Sequence, residues 1–311
     1  MPEPDFPKAE SVEEVLLAGD RYILPGTLEL PDMTGPVACA VFFAGSGPTD
    51  RDWSSPLSRG AGGGKLLAAT LRRRGIGSLR FDKLGSGRNR RGLGRLSLDH
   101  FRDEGVLAFE YLDDLPACRV VFLLGISEGA IHALRTAAAK GDDPVLGGVI
   151  MLAPPAKPLI DRLLDQIWAN ELGRGDPDRT ELAQLLSDFR YAARDGDDPT
   201  PPDFGGLEPL VGLWRSLNHP VNARVARQLL FVDPLPAAGD YSGDVLILSD
   251  GGPAGEAAAR IAAAIGRGGS IQRREVIEGA RADFVRDGEL VAGVQSAISA
   301  FIDAVMSNRP D

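Results

Sequence analysis

The stretch Arg119-Val120-Val121-Phe122-Leu123-Leu124-Gly125-Ile126-Ser127-Glu128-Gly129-Ala130 decides how this chain folds. Its first part, apolar from Val120 onward, reads as a short buried strand. It runs directly into Gly-x-Ser-x-Gly, and Ala130 to Ala139 beyond it read as a helix. The motif alone is weak. With 38 glycines and 17 serines in 311 residues, chance supplies about one match in four such chains. Its setting between strand and helix gives it weight, against the competing reading of an ordinary glycine-rich turn. A serine on so sharp a turn sits at a strained backbone angle, so its flanking positions must lack side chains. Its hydroxyl then projects above the strand, and the Glu128 N–H faces any oxyanion that forms there.

Outward from this point, short aliphatic runs alternate with helix-period segments, the pattern of a parallel sheet covered by helices. The strands expected are Glu13 to Leu17, Arg21 to Glu29, Val37 to Ala44, Gly77 to Phe81, Arg119 to Leu124, Gly148 to Leu152, Val245 to Ser249 and Ile271 to Ile277. The first two form an antiparallel lead-in. Leu290, Val294, Ile298, Phe301 and Val305 mark a C-terminal helix with one apolar stripe. Between Pro154 and Ser242 the strand pattern stops. Helical stretches (Leu159 to Leu172, Glu181 to Arg194, Leu207 to Leu217, Asn222 to Leu229) are separated there by proline- and aspartate-rich joints. A long insertion of this kind reads as a cap. The expected layout is a first core part over 1–154, a helical cap over 155–242 and a second core part over 243–311. Of the cap's aromatics, Trp168, Phe189, Tyr191, Trp214 and Phe231, most read as its core and one or two as lining a pocket, Trp214 being the candidate.

A net charge of −10 argues against nucleic acid as a partner, because phosphate binding needs clustered cations. The N-terminal residues lack the basic start and apolar run of a signal peptide. No stretch is long and apolar enough for a transmembrane helix, so no membrane role is expected. Cys39 and Cys118 read as buried free thiols, which suits a reducing cytoplasm. No metal site or cofactor is expected, and a small, apolar molecule is the expected partner.

Four segments together carry a resemblance. They are Phe43-Ala44-Gly45-Ser46-Gly47-Pro48-Thr49-Asp50-Arg51-Asp52, Leu79-Arg80-Phe81-Asp82-Lys83-Leu84-Gly85, Gly125 to Gly129, and Asp233-Pro234-Leu235-Pro236. With them the chain resembles α/β-hydrolases of the bacterial serine esterase, thioesterase and peptidase kind, over most of its length outside the cap. The resemblance implies an α/β-hydrolase fold: a mostly parallel eight-stranded sheet with helices on both faces and a helical cap insertion. It also implies that Ser127 is the nucleophile and that the loop of Gly45 and Ser46 supplies an oxyanion donor, the Ser46 N–H, beside that of Glu128.

The pattern then breaks. The family's acid follows the seventh strand, where Pro253 stands, and Asp250 is the carboxylate nearby. The family's histidine follows the eighth strand in a Gly-Ala-x-x-x-Phe frame, kept as Gly279 to Phe284, but its place holds Ala282. Losing the base of a working triad costs on the order of 10⁶ in kcat. Of the three histidines, His132 lies about 140° around the helix from Ser127 and His100 reads as surface. His219 sits on a cap joint and is the candidate for a displaced base. The leading expectation is an enzyme that uses the serine turn and oxyanion hole for a non-hydrolytic step, such as cyclisation, C–C bond formation, elimination or rearrangement. An ester or thioester hydrolase with a displaced base, His219 oriented by Asp250, is the second. A non-catalytic binding protein that kept the pocket is the third.

Overall fold

Strand β3 (Val37–Phe43) shows why the core has two sides. Along it Cys39, Val41 and Phe43 face one apolar cluster, while Ala38, Ala40 and Phe42 face another. The period of two sends successive side chains to opposite faces, so a strand buried on both sides must be apolar throughout. β5 (Cys118–Ile126) alternates likewise, with Val121 and Leu123 on the first side and Val120, Phe122 and Leu124 on the second.

The computed structural model describes residues 11–19, 23–55, 62–89, 97–175, 178–194, 200–220, 223–266, 271–278 and 284–309. β3 and β5 are central in an eight-stranded sheet of order β1-β2-β4-β3-β5-β6-β7-β8. The other strands are β1 (Ser11–Ala18), β2 (Ile23–Leu30), β4 (Gly77–Phe81), β6 (Leu146–Leu152), β7 (Val245–Ser249) and β8 (Gln272–Val276). β2 pairs antiparallel with both β1 and β4, and every later pair is parallel. Helices α1 (Gly63–Arg72) and α10 (Val294–Ser307) pack on one face. α2 (Leu98–Asp113), α3 (Glu128–Lys140) and α9 (Gly252–Ala264) pack on the other. The sheet and its two helical layers are therefore as the sequence predicts. A short hairpin, Val285–Arg286 with Glu289–Leu290, was not foreseen.

One expectation is overturned. Cys39 and Cys118 are not free thiols but form a disulfide with Cα atoms 5.7 Å apart. β3 and β5 are neighbours, with Val37 opposite Cys118, so 79 residues of separation close to one step across the sheet. Scarce cysteines therefore no longer speak for a reducing compartment.

The chain divides into two compact units: residues 1–90, 101–156 and 235–311, and residues 91–100 and 157–234. The second is helical, with α4 (Leu159–Arg174), α5 (Arg179–Arg194), α6 (Glu208–Leu217) and α7 (Ala223–Phe231). Its own core gathers Ile160, Leu164, Leu182, Leu186, Phe189 and Leu210. The spacing Leu182, Leu186, Phe189, Ala193 is the stripe that makes α5 amphipathic. No helix among the described residues is long and apolar enough to cross a membrane.

Candidate active site

The two glycines of Gly-x-Ser-x-Gly are required by close approach. A Cβ on Gly125 would stand 2.3 Å from the Gly129 carbonyl oxygen, and one on Gly129 would stand 2.3 Å from that of Phe43. Between them Ser127 takes φ 52° and ψ −120°, a region that costs a non-glycine residue about 1–3 kcal/mol. The turn is held because the Ser127 N–H donates to the Leu152 carbonyl at the end of β6 (2.8 Å) and its carbonyl accepts from the Ala130 N–H (3.0 Å). The strain falls on the residue that the resemblance makes the expected nucleophile. That hydroxyl caps no N–H of α3 and has no hydrogen-bond partner among the described residues.

The loop after β3 comes against this turn. A Cβ on Gly45 would lie 3.5 Å from the Ile126 carbonyl oxygen and 3.9 Å from the Ser127 Cβ. Among the described residues the Ser46 N–H has no acceptor. Glu128, as the first residue of α3, has an N–H without an intrahelical acceptor. Gly45, the residue before Ser46, thus lies against the serine turn, and neither the Ser46 nor the Glu128 N–H has an acceptor among the described residues. Thr49 Oγ1 donates to the Ser46 carbonyl (2.7 Å) and closes the loop on itself.

Asp50, Arg51 and Asp52 tie the same loop both to itself and to the sheet. Asp50 accepts from the Asp52 and Ser54 N–H groups, a turn. Arg51 crosses to Asp82 beyond β4 and to Glu14 on β1, while Asp52 pairs with Arg80. These arginines and acids hold the loop to the sheet.

Beneath the loop lies a buried polar cluster that the sequence did not single out. Lys83 Nζ donates to the Gly45 carbonyl at 2.5 Å and stands 3.5 Å from Glu128 Oε1. Glu128 Oε1 is 3.4 Å from His132 Nε2, and the His132 ring stacks on Phe101. Glu104 accepts from the Leu84 N–H (2.6 Å). Burial would raise the Glu128 carboxyl, but the Lys83 charge and His132 outweigh it and hold it down at about 2. Burial pushes Glu104 up to about 8, against the lowering pull of the Leu84 N–H and Lys83. Burial also lowers His132, against the opposing pull of Glu128. The cluster therefore sets two buried carboxyl groups apart, one held down by its neighbours and one pushed up by burial. Its one available signal was a lysine and a glutamate beside two recognisable motifs.

Of the remaining candidates, Asp250 follows β7 at the same sheet edge as Ser127. Ile126, Leu152 and Leu248 are neighbours across β5, β6 and β7, which spaces the two positions by two strands, about 10 Å. Asp250 is half-buried and has no hydrogen-bond partner among the described residues. His219 and Trp214 belong to the helical unit, not the sheet unit. His219 is exposed there, and Trp214 is a core side chain packed against Phe189 and Phe204. His100 also lies in that unit, where its ring meets Ser97. Ala282 lies outside the described residues. No group of three or more metal-ligating side chains occurs among the described residues.

No family model matches the chain. An esterase of Thermotoga maritima, EstD, is 29% identical over 164 residues, covering 53% of this chain and 38% of that protein. The match thus spans under two fifths of that relative's length. Among solved structures, Est1E from Butyrivibrio proteoclasticus superposes with a TM-score of 0.59 at 15% identity, covering 96% of this chain and 100% of that one. DcsB, solved in complex with its substrate analogue, gives 0.62 at 15% identity over 96% and 100%. Proline iminopeptidase from Mycobacterium smegmatis gives 0.59 at 16% identity over 94% and 98%. The strand order, the strained serine turn and these likenesses lead to one conclusion: this chain has the α/β-hydrolase fold.

Proposed function

We propose that this chain is an enzyme that polarises a carbonyl group of a small molecule at Ser127, in a step other than ordinary histidine-assisted hydrolysis. The observation that carries this reading is the conjunction at Ser127. A serine held at φ 52° is followed by the Glu128 N–H and approached by Gly45, the residue before the Ser46 N–H, and neither N–H has an acceptor among the described residues. Preorganised donors of this kind stabilise an oxyanion or enolate and pay no reorganisation cost when charge develops. The position that supplies an imidazole in the resembling enzymes holds Ala282, and His132 is committed to Glu128 and Phe101. An oxyanion hole without that base suits chemistry in which the substrate brings its own nucleophile or acidic proton. Cyclisation, elimination and rearrangement are such steps.

Ester hydrolysis with a base from elsewhere is the second reading. It is favoured by the names of the relatives, EstD being called an esterase, and by Asp250 standing at the same sheet edge.

A fluorophosphonate probe separates the two. Under the first reading Ser127 labels slowly, and a panel of p-nitrophenyl esters is not turned over above the rate of the Ser127→Ala variant. Rapid labelling of Ser127 with turnover that Ser127→Ala abolishes would establish the second and overturn the first.

A further inference from the structure

We propose that Lys83 is the positioning residue of the oxyanion hole, holding both donors through one buried ammonium; this rests on Ser127 being the carbonyl-polarising centre. The carbonyl of Gly45 and the N–H of Ser46 belong to the same peptide group. That group is planar and trans, so its C=O and N–H point in opposite directions. A lysine that fixes the carbonyl from below, at 2.5 Å, therefore aims the N–H away from the protein interior. Gly45 lies against Ser127, so the N–H so aimed belongs to the serine turn's surroundings. A cation on the carbonyl oxygen also polarises the peptide and makes its N–H a stronger donor.

The same ammonium holds the second donor. Glu128 supplies that N–H from its backbone, and its side chain faces Lys83 at 3.5 Å. The two side chains are 8% and 6% exposed, so water does not substitute for either. The Leu84 N–H, donated to Glu104, fixes the backbone next to Lys83. The geometry of both donors thus converges on one atom, Lys83 Nζ.

The test compares Lys83→Arg, Lys83→Met, and Lys83→Met combined with Glu128→Gln. The last removes both charges, so no carboxylate is stranded in the interior. Two readouts are taken: the Ser46 amide signal by NMR, and the rate of Ser127 phosphonylation by a fluorophosphonate. In that reaction the Ser127 Oγ–phosphorus bond forms, the phosphorus–fluorine bond breaks, and fluoride leaves with the hydroxyl proton. The expected result for the folded paired variant is a displaced, faster-exchanging Ser46 amide and labelling slowed by at least about tenfold, since one lost donor costs about 10²–10³. Lys83→Arg restores most of the rate, and the pH profile of labelling keeps its shape.

An unmoved Ser46 amide with unchanged labelling overturns the proposal. So does a Lys83→Arg variant as slow as Lys83→Met with an altered pH profile, which would make the lysine a base. If the paired variant does not fold, Glu128→Gln alone decides, because it removes the carboxylate through which Lys83 holds the second donor; unchanged labelling there overturns the proposal. If the wild-type serine never labels, the reading of Ser127 falls, and the Ser46 amide by itself judges Lys83.

Discussion

Ser127 and its two glycines respond to substitution in opposite directions. Alanine at 127 keeps the φ of 52° and its strain, whereas glycine relieves it. Elsewhere in a fold glycine is the less stable of the two by roughly 0.5–1 kcal/mol. At this turn Ser127→Gly is expected to unfold at the same or higher urea concentration than Ser127→Ala, and a lower midpoint would show the turn to be unstrained. Gly129→Ala places a Cβ 2.3 Å from a backbone oxygen that cannot rotate away. A loss of more than about 3 kcal/mol is expected from this overpacking, read from the same unfolding curves. These glycines were legible in the sequence because their spacing around a serine encodes the contact. Lys83 was not, because nothing in its neighbours' identities tells that a Lys points inward. Its burial depends on the Gly45 loop, 38 residues earlier, closing over it.

At the scale of the element, α3 presents Glu128 and His132 one turn apart toward α2, where Phe101 and Glu104 stand. Their titration divides the pH axis. Glu104 at about 8 lies above an unfolded carboxyl at roughly 4.3, so its contribution to stability is full below that pH and is lost as pH rises through 8. Glu128 at about 2 lies below it, so its contribution is present above roughly pH 4.3 and is lost as pH falls toward 2. Urea midpoints measured across this range are expected to peak near pH 4–5 in these two groups' share. Glu104→Gln should flatten the alkaline descent, and an unaltered descent would assign it to other groups. Strands β3 and β5 hold the second prediction at this scale. The Cys39–Cys118 bond closes a loop of sequence separation 79. Reduction is expected to lower stability by about 2–4 kcal/mol, and denatured, unreduced protein should show no titratable thiol. The sequence placed both cysteines in buried runs correctly. It missed their pairing because strand adjacency, not spacing along the chain, brings them together.

Over the whole molecule, the places of the eight strands along the chain and the two helical layers on the sheet followed from alternation and punctuation in the sequence, whereas the order of the strands across the sheet is given by the structure. These patterns are written locally, as in the seven buried residues of β3. The polar tethers between loops are written nowhere locally. Asp82 is the clearest example. Its carboxylate accepts from the Arg51 N–H, Nε and Nη2, and from the Arg88 N–H. Arg51 in turn reaches Thr27 and Glu14 on β2 and β1. Asp82→Ala leaves the Arg51 guanidinium buried beside an empty space, and a loss of about 3–5 kcal/mol is expected from urea unfolding. A loss under about 1 kcal/mol would show the tether to be ornamental.

Asp82 behaves as a keystone in masonry: nothing is built from it, and several pieces rest on it. A survey of inactivating variants would find hits at this carboxylate, at Arg51 and at Gly87, whose absent Cβ leaves the room that Asp82 occupies. None of the three handles a reacting atom when the chemistry is centred on Ser127. Sorting such hits by folded yield before sorting them by rate would keep architecture from being mistaken for chemistry.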